Sequence, residues 1–448
     1  MIYSMRRILA LVAAALPAFA PAALAQAFDP FPGGTAGLYR FDLEKNFFPS
    51  LAVEQAEAAA LLARATRLAA DHPRPARSAE ALERFLLAMD SIRLLAVKHL
   101  TYLSLRANVD TREVAATSVG NALADSVNRA LAFAGPMLAA IPEDTLRRFA
   151  AERPGITPFL FSIRQARAAP PVDSAAAVAR EMTQWQPALF WALLGETEWG
   201  TVQAPEGVLD VRRQMNQVLN HPDRAVREAG FRQYQRGRAR HRGSYALLLS
   251  GNVSSRNAVA RLRGFRSFPE EWYAGLFLRT DDVRGVLRAL AARGEANRRY
   301  ERDRVAHLRR AAGLDTVHAW DLTLPEPGMD TPRFTVPEAS RVLREALAVL
   351  GPGYARQLNA LLDPRNGRLD MAPREYRAMR PGFSSGAVGF PSMFYQGQYE
   401  GYLPDVVIFA HEIGHGVQNG LMEDNGVASV NSGGRGTSPS RSPASPSC

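Results

Sequence analysis

The sequence predicts a mainly α-helical protein of many helices, on three observations. Apolar residues recur at helical spacing through most of the 448 residues, and the stretches are bounded by Pro/Gly breaks and capping residues. No alternation of strand and helix patterns is present, and no internal repeat. An apolar content of 47% with 22% charged residues is that of a globular protein able to bury a core, and the length allows roughly two to three domains.

The chain opens like a secretion signal. Arg6 and Arg7 form a charged region, residues 8–19 an apolar one, and Ala23-Leu24-Ala25 a small-residue cleavage site before Gln26. Pro17 and Pro21 interrupt the apolar run, which is short for a membrane span. Cys448 is the sole cysteine, so an exported protein here holds itself together without an internal disulfide. The expected location is periplasmic or secreted, with residues 1–25 removed and no membrane partner afterwards.

Residues 26–50, with Pro30, Pro32, Gly33 and Gly34, read as irregular chain lying over the surface. Leu61, Leu62, Ala65, Leu68 and Ala69 then repeat at helical spacing before a break at Pro73 and Pro75. Ser78 is placed to cap a long helix carrying Leu82, Phe85, Leu86, Met89 and Ile92. Asp110 with Glu113 reads as a capping box, and the helix after it, with Val119, Leu123, Val127 and Leu131, stops at Gly135-Pro136. These stripes are core positions. A less regular region runs through Gly207 and closes an N-terminal helical lobe at 26–207.

A second region, 208–434, starts with another helical block. His221-Pro222-Asp223 opens a helix over about residues 224–240, with His221 as a turn residue. Residues 281–312 are Arg-rich and helical. Thr335 and Glu338 form a further capping box, whose helix ends at Gly351-Pro352-Gly353. The net charge of +10 is nearly all arginine, because Lys45 and Lys98 are the only lysines. A nucleic-acid footprint needs the Arg clusters at 236–242, 261–266 and 298–310 on one face with aromatics between them. They read instead as solvated helix faces, and no nucleic-acid partner is expected.

Between residues 370 and 402 the character changes. Gly382, Gly386, Gly389, Gly397 and Gly401 sit among Phe383, Phe390, Phe394, Tyr395, Tyr399 and Tyr402. Gly382 to Gly386 fits G-x-S-x-G, but a serine-hydrolase elbow needs a buried strand before it and a helix after it, and Arg380-Pro381 and residues 387–391 supply neither. The better reading is an exposed strand edge that pairs with an extended peptide while aromatics pack on its side chains.

The chemistry sits in residues 403–420, LPDVVIFAHEIGHGVQNG. Pro404 suits a first helical turn, Asp405 complements the positive end of the dipole, and Gly420 reads as the stop. On such a helix His411 and His415 stand at i and i+4 and can bind one metal ion, Zn2+. Glu412 lies beside them, placed to take a proton from a metal-bound water. With 8 His in the chain, HExxH arises by chance in on the order of one such chain in a hundred. A pair of core histidines would leave Glu412 buried without a charge partner, which costs too much.

The string AHEIGHGVQ, preceded by RPGFSSGAVGFPSMFYQ, resembles the zinc helix and Gly-rich segment of the oligoendopeptidase F/thimet oligopeptidase family of HExxH zinc metallopeptidases. ARLRGFRSF (260–268), AVLGPGYARQL (348–358) and GRLDMAPREYR (367–377) resemble the same family's pre-catalytic region, so the similarity covers about residues 208–426. The resemblance implies an elongated multi-helix zincin with a peptide channel and a small Gly- and aromatic-rich β edge beside the zinc helix. It implies one zinc and endopeptidase cleavage of oligopeptides. By motif, His411 and His415 match the first two zinc ligands and Glu412 the general base. Gln418 stands where the family often has a His that is not a ligand. Gly386, Ala387 and Tyr399 are candidate substrate-binding residues.

The family's third ligand, a Glu from a second helix, falls near Ser440 in this sequence, where no carboxylate stands. Beyond Gly434 the chain reads RGTSPSRSPASPSC, polar and rich in Pro and Ser. The departure predicts a truncated or frame-shifted version of a longer peptidase, with an irregular tail over 435–448. Glu423 is the candidate substitute ligand, brought back by a tight reversal after the zinc helix. Two alternatives stand beside this reading. One is an angiotensin-converting-enzyme-like or carboxypeptidase Taq-like zincin, and the other a non-catalytic helical protein that binds peptides without metal.

Overall fold

The computed structural model describes residues 28–168, 185–324 and 331–432, so the expected signal sequence and the 435–448 tail lie outside the described residues. The fold is mainly helical with small sheets, and it divides into two compact units. One comprises Met1–Phe133, Arg147–Phe159 and Pro332–Cys448, and the other Ala134–Leu146 and Leu160–Thr331. The boundary expected near Val208 falls inside a β-hairpin of the second unit.

In the first unit, helix α1 (Leu51–Asp71) starts at Ser50, whose Oγ accepts the Val53 N–H at 3.2 Å. Helix α2 (Ala79–Val109) starts at Ser78 in the same way, as expected, and buries Leu82, Phe85, Leu86, Met89 and Ile92 along one face. Between them Glu54 Oε1 meets His99 Nδ1 at 2.7 Å, fully out of solvent, with the Phe48 ring stacked on the imidazole. Helix α3 (Val114–Ala130) lacks the expected capping box. The Glu113 carboxylate is bound at both oxygens by the Arg106 guanidinium, at 2.6 and 2.8 Å, and is drawn off the backbone. Gly135 and Pro136 also do not end this helix, because they lie within a short separate one, Ala134–Ala139, which belongs to the second unit. The chain before α1 lies over the surface as expected, with most of its residues exposed, but it is pinned there by Phe31, Tyr39, Phe47 and Phe48, which are buried.

The second unit carries a hairpin of β1 (Thr201–Ala204) and β2 (Gly207–Asp210), antiparallel, followed by α4 (Arg224–Arg240) and α5 (Arg242–Leu262). Asp223 caps α4, accepting the Ala225 N–H at 2.8 Å. His221 is a turn residue whose Nδ1 accepts the Asp223 N–H at 3.0 Å, while Nε2 faces Glu206 across 3.2 Å. The Arg-rich stretch splits at Gly294 into α6 (Thr280–Ala292) and α7 (Glu295–Ala311). Arg298 and Arg302 of α7 pair with Glu295 at 3.0 and 2.7 Å on an exposed face.

The chain then returns to the first unit. Helix α8 (Val336–Leu347) carries the expected capping box: the Thr335 N–H donates to Glu338 at 2.8 Å, and the Glu338 N–H donates to Thr335 Oγ1 at 3.3 Å. The helix gives way to a 3-10 turn, Ala348–Leu350, and stops before Gly351 at φ 96°, as expected, and Pro352 then opens α9 (Pro352–Leu361), where its missing N–H costs nothing. Three strands follow, β3 (Leu369–Asp370), β4 (Phe383–Ala387) and β5 (Phe390–Tyr395). Their order is β3-β5-β4, with β3 parallel and β4 antiparallel to β5, so β4 is an edge strand. Helix α10 (Leu403–Asp424) packs beside this small sheet. Its Val406, Phe409, Ile413 and Val417 enter a core shared with Val336, Ala339 and Leu343 of α8, Leu358 and Leu361 of α9, and Phe394 of β5.

Candidate active site

The site is built on α10, and each of its two ends is closed by hydrogen bonds. At the start, Pro404 occupies the first turn and the Asp405 carboxylate accepts the N–H groups of Glu400 at 3.0 Å and Tyr402 at 3.1 Å. Burial pushes the Asp405 pKa up, the nearby Glu400 adds to it, and these outweigh the backbone donors, leaving it at about 7. Asp405 is therefore less a fixed negative charge on the dipole than a hydrogen-bond acceptor for the incoming chain.

The sign of its pH effect follows. The folded pKa is raised above the unfolded value of about 3.9, so the native state holds the extra proton between about pH 4 and 7. Stability from this group is full below pH 4 and falls as pH rises through 7. Asp405→Asn is expected to flatten that fall by a few kcal/mol, read from urea midpoints of both proteins at pH 4.5 and 7.5. Parallel curves would show that Asp405 does not carry the shift.

At its other end the helix runs past the expected stop. Gly420 lies inside α10, because Val417 and the partly buried Leu421 carry the apolar face onward against α9 and the core. Termination comes at Gly426, in the left-handed conformation at φ 65°. The Gly426 N–H donates to the Glu423 carbonyl at 3.0 Å and the Val427 N–H to the Met422 carbonyl at 2.9 Å, closing the last turn.

The face opposite the core carries the polar residues. The His411 and His415 rings lie 4.9 Å apart, nearly perpendicular and exposed on one side of the helix. Glu412 sits beside them with its side chain only 12% exposed, its Oε1 3.9 Å from His411 Nε2. The other oxygen, Oε2, accepts the backbone N–H of Ser384 in β4 at 2.9 Å. Gly382 permits this approach: a Cβ there would lie 2.3 Å from Ile408 Cγ2 and 3.3 Å from Glu412 Cγ. Ser384 thus belongs to an edge strand with no strand-to-helix elbow, and the G-x-S-x-G pattern serves the sheet.

The remaining candidates fall elsewhere. Glu423 is exposed in the last turn of the unbroken helix, eight residues beyond His415, so about 12 Å along the axis. The tight reversal that would return it to the histidines does not occur. Tyr399 is also corrected: it is buried, in the core cluster with α10, and its hydroxyl donates to the Phe334 carbonyl at 3.0 Å. Burial holds that hydroxyl protonated well above its ordinary range. Phe390, Phe394, Tyr395 and Tyr402 are buried as well, so most of these aromatics anchor the sheet and the helix entry instead of lining a peptide groove.

Gly386 and Ala387 do lie on the edge strand, half-buried, at an irregularity in the β4–β5 register. A Cβ at Gly386 would meet Ser392 Cα at 2.6 Å, so its smallness serves the hairpin. Ala387 packs against the cluster of Phe47, Phe48 and Tyr102.

A catalytic zinc takes three protein ligands and keeps a fourth position open. His411 and His415 have the spacing and exposure for two of them. Among the described residues no cluster of three His, Cys, Asp or Glu side chains forms around a common point. The donor set fits zinc at two corners.

No family model matches the chain. It is 23% identical over 208 residues to the Group B oligopeptidase PepB of Streptococcus agalactiae serotype III (strain NEM316), covering 46% of this chain and 33% of that protein. It is 26% identical over 205 residues to the oligopeptidase PepF of Bacillus subtilis (strain 168), covering 45% of this chain and 29% of that one. The matched stretch thus spans about a third of each relative. In fold, the chain is similar to the crystal structure of oligoendopeptidase-F from Enterococcus faecium, with a TM-score of 0.54 at 18% identity over 69% of this chain and 60% of that one.

Proposed function

We propose that this chain, similar to the oligoendopeptidase F family in sequence and in its helical fold, is a zinc metallopeptidase acting on oligopeptides. One observation carries the reading: two imidazoles one turn apart on an exposed helix face, with a carboxylate fixed beside them by an adjoining edge strand. His411 and His415 would hold the metal. Zinc bound there would supply a Lewis acid for a peptide carbonyl and would bring the pKa of a water to about 7. Glu412 takes the water's proton on Oε1 and returns it to the departing amine. Its Oε2, already engaged by the Ser384 N–H, stays in place through both transfers. β4 is an edge strand, and apart from the Ser384 N–H, which Glu412 takes, the backbone groups of its outer side would pair with an extended peptide.

The two-ligand donor set favours one second reading, a peptide-binding protein without turnover. Cleavage of an end-blocked, internally quenched oligopeptide separates the two. The proposal expects hydrolysis at an internal bond, abolished by a chelator and restored by Zn2+. Saturable peptide binding with no product, whatever zinc is supplied, would leave the second reading standing.

A further inference from the structure

The contact between β4 and α10 is made by a backbone group that no side-chain pattern marks. The Ser384 N–H lies 2.9 Å from Glu412 Oε2, across 28 residues of sequence. It reaches that far because Gly382 is a close-approach position against Ile408 and the Glu412 stem. With Oε2 engaged, Oε1 is the oxygen that points towards His411 Nε2. The Glu412 side chain is 12% exposed while that of His411 is 61% exposed, so the carboxylate is bedded under the strand and the imidazole stands clear of it.

We propose that the Ser384 peptide N–H is the positioning group for Glu412, fixing which carboxylate oxygen faces the two histidines, and that Gly382 is the residue whose missing side chain makes this possible. The proposal rests on the peptidase reading for its consequence but not for its geometry. A hydrogen bond to a charged carboxylate is stronger than one between neutral groups, and a general base works only when its proton-accepting atom is within reach of the proton. Because the donor is backbone, replacing the Ser384 side chain leaves it in place, whereas proline removes it. An edge strand accommodates proline where the N–H is not used in the ladder.

The test has two arms. In the metal-free chain, amide exchange at Ser384 is followed by NMR in the wild type and in Glu412→Ala. Exchange is expected to accelerate at Ser384 by about tenfold or more, while Phe394 and Met393 on β5 keep their rates. In the zinc-loaded chain, kcat on the quenched peptide is compared between Ser384→Pro and Ser384→Ala. The proline variant is expected to fall about ten- to hundredfold below the alanine variant, with KM within about twofold and equal zinc content. Should Ser384→Pro not fold, Gly382→Ala takes its place and is expected to show the same loss of kcat.

Equal Ser384 exchange in wild type and Glu412→Ala, or equal turnover of the proline and alanine variants, would overturn the assignment. An exchange difference between metal-free wild type and Glu412→Ala, together with a zinc-loaded wild type that cleaves nothing, would sink the peptidase reading and leave the clamp standing.

Discussion

Glu412→Gln is expected to keep zinc uptake and to lose peptide turnover by about 10²- to 10⁴-fold. Glutamine has the same shape, and its side-chain oxygen can still accept the Ser384 N–H that Oε2 now accepts at 2.9 Å. What it cannot do is take a proton on the atom that faces His411. The rest of the site is untouched, because His411 and His415 project from the same helix, held by its buried face. Single-turnover cleavage of the quenched peptide by zinc-loaded protein reads the change directly. Cleavage retained at the wild-type rate would remove Glu412 from the reaction.

The second large effect concerns stability. Phe409→Ala is expected to destabilise the protein by about 3–5 kcal/mol, measured by urea denaturation. The Phe409 ring is completely buried, 4.9 Å from Phe394 of β5, at the point where α10, α9 and the sheet meet. Removing it leaves a cavity lined by side chains anchored on three elements, and none of them can close it by a rotamer change alone. Val407, two residues earlier on the same helix, is 58% exposed, and its alanine variant is expected to change stability by less than about 0.5 kcal/mol. Similar losses for the two would mean that the helix is not seated by this face.

How much of this was legible beforehand depends on the range of the interaction. The stripe of α2, the Ser78 cap, the Thr335–Glu338 box and the placing of His411, Glu412 and His415 on one helix are properties of a few consecutive residues, and local periodicity reports them. The errors are tertiary. Gly420 carries a stop signal, but Val417 and Leu421 on either side of it pack towards the core, and that burial extends the helix to a stop at Gly426. Glu113 carries a capping signal, but Arg106 claims its carboxylate.

The run from Phe383 to Tyr402 looks like a surface for peptide side chains, because aromatic spacing does not say which face of a strand is covered. Phe394 and Tyr399 pack in the core that seats α10, while Phe383 and Phe390 pack against Phe47, Phe48 and Tyr102. The hydrogen bond from Ser384 to Glu412 leaves only an indirect trace in the sequence, Gly382, since a backbone donor is present at every residue but proline. The buried Glu54–His99 pair, 45 residues apart, is invisible for the same reason of distance.

The account stands on His411 and His415 gripping one divalent ion, and calorimetric titration of the metal-free chain with Zn2+ tests this most directly. The expected result is one saturable site per chain, weakened by about a hundredfold or more in His411→Ala and again in His415→Ala, and unchanged in Glu423→Gln. No saturable uptake by the wild type, or equal uptake by the variant lacking both imidazoles, would contradict it.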